Sequence, residues 1–162
     1  MKSKKNISIT IISISIITIL SIILTTIINK NTKIDKITLE NEYYNNNGLK
    51  NISKETLETL LTQKKSFIIF TYNNICTFKK PCDKIFEKVS KEINIQILQI
   101  PFQTFKETKL YEKVKYAPSI IIINEGEILT YLDANEDKDL EKYQDENKFK
   151  QWLLKYINEK RW

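Results

Sequence analysis

The amino-acid sequence predicts an α/β domain: a mixed sheet sandwiched by helices, preceded by one N-terminal transmembrane helix. Three observations carry this. Two short, wholly apolar runs, Phe67-Ile68-Ile69-Phe70 and Ile120-Ile121-Ile122-Ile123, have the length and β-branched or aromatic character of strands buried on both faces. Two other stretches repeat apolar residues at helical spacing, Ile85, Phe86, Val89 and Ile93 in one and Phe149, Trp152, Leu153, Tyr156 and Ile157 in the other. The turn Asn124-Glu125-Gly126-Glu127 then folds the second strand back into a hairpin.

Taken in order, residues 1–6 form a short basic start with Lys2, Lys4 and Lys5. Residues 7–28 are Ile and Leu broken only by Ser and Thr, without a charge, Pro or Gly. At about 1.5 Å per residue this run reaches roughly 30 Å, the thickness of a bilayer's hydrocarbon core. A cleaved secretory signal would share the basic start and apolar run. The length and the lack of a small-x-small cleavage site favour an uncleaved signal anchor. Lys30, Lys33 and Lys36 follow the run, so charge gives a lean only, and the amino terminus with the tighter cluster of three Lys before the run favours N-in, which places the rest of the chain outside the cytoplasm at the cell membrane, single-pass. Residues 29–52 are polar and Asn-rich and read as a tether.

The domain is expected over residues 53–158. Ser53 can cap a helix reaching about Lys64, with Leu57, Leu60 and Leu61 on one face. The first core strand follows and ends at Thr71. After a loop, Pro81 and Asp83 suit the first turn of a helix that ends near Ile93. Residues 95–100 alternate as a second strand, and residues 105–114 are expected to be helical, stopping before Pro118. The hairpin strands come next. Residues 133–145 are acidic and polar, a solvated connection with a short helical piece, and the run lacks the Gly and ligand spacing of a calcium loop. A helix from Asn147 to about Asn158 closes the chain. The order is α β α β α β β α.

Charge and composition exclude several functions. The chain carries +6, but residues 1–36 hold six Lys against one Asp, while the remainder is nearly balanced, so the domain has no basic surplus for nucleic acid. With no His, triad hydrolases and Cys/His zinc sites are excluded, and two Cys are too few for a four-thiolate site. No metal site and no cofactor is implied. The two cysteines, Cys76 and Cys82, stand between a core strand and the first turn of a helix, where the helix N-terminus and the adjacent Lys79 and Lys80 favour thiolate over thiol. The pair admits redox chemistry, a structural disulfide or two idle thiols, and the two lysines admit a plain reading as solvated loop charges. Tyr111, Tyr116, Tyr131 and Trp152 are expected to pack in the core or at its rim.

The strand leading to Cys76, the helix opened by Pro81-Cys82 and the segment Tyr116-Ala117-Pro118-Ser119 before a strand and hairpin together resemble the thioredoxin superfamily. Among its members the chain looks most like membrane-anchored thioredoxin-like proteins of Gram-positive bacteria, some of them bacteriocin-transport accessory proteins. The resemblance implies thiol–disulfide exchange with protein thiols or disulfides and an unidentified redox partner. It implies catalysis by Cys76 and Cys82 and a cis-proline loop at Ala117 and Pro118 that meets the substrate peptide. A catalytically silent accessory protein with a structural disulfide is the alternative. Three features depart from the family pattern. Five residues rather than two separate the cysteines, Phe70 stands where many members carry a buried acid, and Ile75 replaces the usual Trp.

Overall fold

The computed structural model describes residue 19, residues 35–73 and residues 81–159. The chain divides into two compact units, residues 1–35 and residues 36–162. The short basic start and the expected transmembrane run at residues 7–28 lie almost wholly outside the described residues. Among the described residues no helix is long and apolar enough to cross a membrane.

The second unit is built on a five-stranded sheet, β1 (Gly48–Asn51), β2 (Phe67–Tyr72), β3 (Gln96–Pro101), β4 (Ser119–Asn124) and β5 (Glu127–Asp133), in the order β1-β3-β2-β4-β5. The first three run parallel, and β4 and β5 are antiparallel additions. Around the sheet lie α1 (Lys54–Thr62), α2 (Cys82–Glu92), α3 (Phe102–Phe105), α4 (Asp137–Leu140) and α5 (Glu146–Tyr156). The central position of β2 is why its sequence is apolar without alternation: every residue from Phe67 to Thr71 is at most 1% exposed. Phe70 meets Phe86 of α2 at 5.0 Å, and Phe86 meets Phe149 of α5 at 4.4 Å, so α2 and α5 share the face toward which Phe70 points. Phe67, of opposite parity on the strand, packs on Tyr43.

Local signals act where the sequence places them. The Ser53 hydroxyl accepts the Thr56 amide at 3.2 Å and starts α1, and Asp145 does the same for α5 through the Lys148 amide at 2.9 Å. The β4–β5 turn places Glu125 and Gly126 both at positive φ, which twists the hairpin in the sense its strands require.

Three expectations are corrected. The tether does not extend to residue 52: Leu39, Tyr43 and Tyr44 are buried, and β1 pairs with β3 from Gly48 to Asn51. Gly48 takes φ +84 and donates its amide to Ser90 Oγ at 2.9 Å, anchoring this edge strand to α2. The chain is locked further by Ile37, which exchanges main-chain hydrogen bonds with Tyr156 and Asn158, and by the Tyr44 hydroxyl, which accepts from Leu39 and donates to Asn158. The helix expected over residues 105–114 is instead α3 plus a 3₁₀ turn, Lys109–Glu112. The break has a cause. Thr108 returns both its amide and its hydroxyl to the Phe105 carbonyl, closing the first piece. Last, the acidic connection is not wholly solvated, because Asp139 and Tyr143 are buried within it.

The fold has two poles. The Glu40 amide binds the Ser66 carbonyl at the beginning of β2, and Cys82 lies past the far end of that strand, about 20 Å away at 3.3 Å per residue.

Candidate thiol site

Beyond the carboxyl end of β2, the extended ψ of 117° at Pro81 delivers Cys82 as the first residue of α2. The Cys82 side chain is 3% exposed and forms one wall of a cleft of about 300 Å³. Phe70, Tyr72 and Asn73 of β2 and its extension, Asp83, Gln99 of β3 and Pro118 complete the lining. The sheet order makes this meeting inevitable. β2 and β3 end here, and β4, antiparallel to β2, begins here, so the residue preceding β4 is brought opposite the first residue of α2. The Ala117–Pro118 peptide bond is cis.

Behind the cleft stands Tyr143, fully buried. Its hydroxyl lies 2.6 Å from the Leu132 carbonyl oxygen and 3.1 Å from that of Pro118, sharing one proton between them, and it accepts a main-chain hydrogen bond from Ile120. Its ring packs on Phe86 at 5.6 Å, one turn beyond Cys82. Burial pushes this phenol well above its ordinary range, and the charges of Cys82, Asp133 and Asp139 push the same way. The folded protein therefore favours the neutral hydroxyl.

Of the residues singled out in the sequence, Cys82 and Pro118 are brought together on one cleft. Ala117 contributes the other half of the cis bond and is half-buried. Cys76, Lys79 and Lys80 lie outside the described residues. Tyr143 was missed, since a single aromatic inside an acidic stretch has no periodicity to mark it. Of the four aromatics expected in the core or at its rim, Trp152 is buried, Tyr111 and Tyr131 are half-buried, and Tyr116 is exposed at 52%.

Compared with solved structures, the chain is similar to oxidised thioredoxin from Plasmodium falciparum, with a TM-score of 0.50 and 17% identity over 68% of this chain and 100% of that one. The unit has the thioredoxin fold. A thioredoxin mutant from Halobacterium salinarum is also similar, at a TM-score of 0.49 and 13% identity over 72% of this chain and 95% of that one. No family model and no curated protein matches the chain. Within this thioredoxin fold, Phe70 fills the space beneath the cleft with an aromatic ring 1% exposed, so that wall offers Cys82 no carboxylate.

Proposed function

We propose that this protein is a membrane-anchored thiol–disulfide exchange protein working outside the cytoplasm, with Cys76 as the attacking and Cys82 as the resolving thiol. The observation that carries the reading is Cys82, held buried in the first turn of α2 across a cleft from Pro118. The thioredoxin fold supports it. In the reductive direction the Cys76 thiolate attacks one sulfur of a substrate disulfide, giving a mixed disulfide and a substrate thiolate. Cys82 then attacks Cys76 Sγ, releasing the second substrate thiolate and leaving the Cys76–Cys82 disulfide. Two electrons pass to the substrate, and the reverse sequence oxidises a dithiol. Lys79 and Lys80 favour the attacking thiolate, and Ala117 and Pro118 present main chain to the substrate. Residues 7–28 supply the anchor, with the basic start inside.

The test uses the full-length chain. The parent reduces insulin disulfides, Cys76→Ser abolishes this, and Cys82→Ser accumulates mixed disulfides that mass spectrometry reads after thiol trapping. Protease treatment of intact cells removes the domain. A chain that neither reduces insulin nor traps a partner is instead a silent accessory protein for peptide export or envelope assembly, as the bacteriocin-transport resemblance suggests. Phe70 favours that second reading, since it puts a hydrocarbon ring where a proton acceptor would assist the resolving thiol.

A further inference from the structure

Resting on the exchange reading of Cys82, we infer that Tyr143 is the positioning residue of the cleft, one hydroxyl that fixes the Pro118 segment against α2 and sets how readily Cys82 gives up its proton. The geometry is specific. The hydroxyl holds the Pro118 carbonyl at 3.1 Å and the Leu132 carbonyl at 2.6 Å, and takes the Ile120 amide, so three points on β4, β5 and their approach converge on one atom. The ring of the same residue rests on Phe86, four residues after Cys82, which links that junction to the first turn of α2.

The electrostatic role follows from what the hydroxyl covers. Carbonyl oxygens turn the negative ends of their dipoles toward the space in front of them, and a thiolate formed nearby is disfavoured unless a donor compensates them. Tyr143 is that donor, and burial keeps it protonated. Among the described residues, the other ionisable groups that line the cleft with Cys82 are Tyr72 from β2 and Asp83 from α2, while Asp133 of β5 and Asp139 of α4 act on Tyr143. Asp139 is engaged by Lys142 at 3.0 Å and by the Asp133 amide at 3.2 Å. Tyr143 is thus a buried hydroxyl donor behind the cleft that a single-atom substitution can switch off.

The experiment is a pH titration of Cys82 in the full-length chain carrying Cys76→Ser, read by the ¹³Cβ resonance of labelled cysteine. Tyr143→Phe keeps the ring and raises the titration midpoint by about half a pH unit or more. Site-specific 3-fluorotyrosine at position 143, a stronger donor of almost the same size, lowers it. The fluorinated chain decides the matter alone where Tyr143→Phe does not fold. Midpoints equal to the parent's in the folded variants overturn the inference and leave Tyr143 a packing residue. Insulin reduction by the otherwise unmodified parent is measured alongside. A parent that is inactive while the midpoints move loses the exchange reading but keeps the coupling, and an active parent with unmoved midpoints loses the coupling alone.

Discussion

Gly126 sits so close to Leu61 that a β-carbon built on it would lie 2.4 Å from the Leu61 carbonyl oxygen. The hairpin tip is pressed onto the end of α1 at that point, where the Gly126 amide also binds the Lys65 carbonyl at 3.0 Å. With φ at +80 the position is hostile to a side chain twice over. Gly126→Ala is expected to lower stability by about 2–4 kcal/mol, read as a fall in the urea midpoint at unchanged slope.

Thr71 carries the opposite expectation. Its hydroxyl oxygen is the one buried side-chain oxygen or nitrogen among the described residues that lacks a hydrogen-bond partner. Thr71→Val conserves shape and removes the desolvated hydroxyl, so the variant should match or exceed the parent by up to about 1 kcal/mol. A clear loss of stability in urea would show that the hydroxyl has a partner after all.

Residues 36–52 are structural. Leu39, Tyr43 and Tyr44 are each under 5% exposed, and burial of three such side chains contributes roughly 5–9 kcal/mol, comparable to the whole stability of a domain this size. A chain shortened to begin at Ser53 should therefore not fold, whereas one beginning at Lys36 should give a cooperative thermal transition by circular dichroism.

Alkaline pH should weaken the fold through its buried phenols. Tyr43, Tyr44 and Tyr143 are all raised above the ordinary 10.0, by burial first in each case. Above that pH the unfolded chain loses these protons while the folded chain keeps them, so the folded state binds more protons and its stability falls as pH rises. For Tyr143 the slope approaches about 1.4 kcal/mol per pH unit. Urea unfolding between pH 8 and 11 should show the decline, and Tyr143→Phe should flatten it.

Much of this architecture was legible in the residues because it rests on local or strongly periodic signals. The uniform apolarity of β2 and β4, the Ser53 cap, the stripe on α5 and the Gly126 turn all state their conformation within a few positions. What was hidden depends on distant partners. Gly48-Leu49-Lys50-Asn51 holds one large apolar side chain, and only pairing with β3 and the Ser90 hydroxyl makes it a strand. Leu39, Tyr43 and Tyr44 are too scattered to mark a face. The Cys82–Pro118 meeting could be anticipated from the order of motifs, but Tyr143 could not, since its place is defined by Leu132, Pro118 and Phe86 rather than by its acidic neighbours.

Residue 40 and Cys82 stand at opposite ends of β2: the Glu40 amide grips the Ser66 carbonyl at one, and the thiol borders its cleft past the other. Substitutions along residues 36–44 should accordingly change how firmly the unit holds together without reshaping the walls around the sulfur.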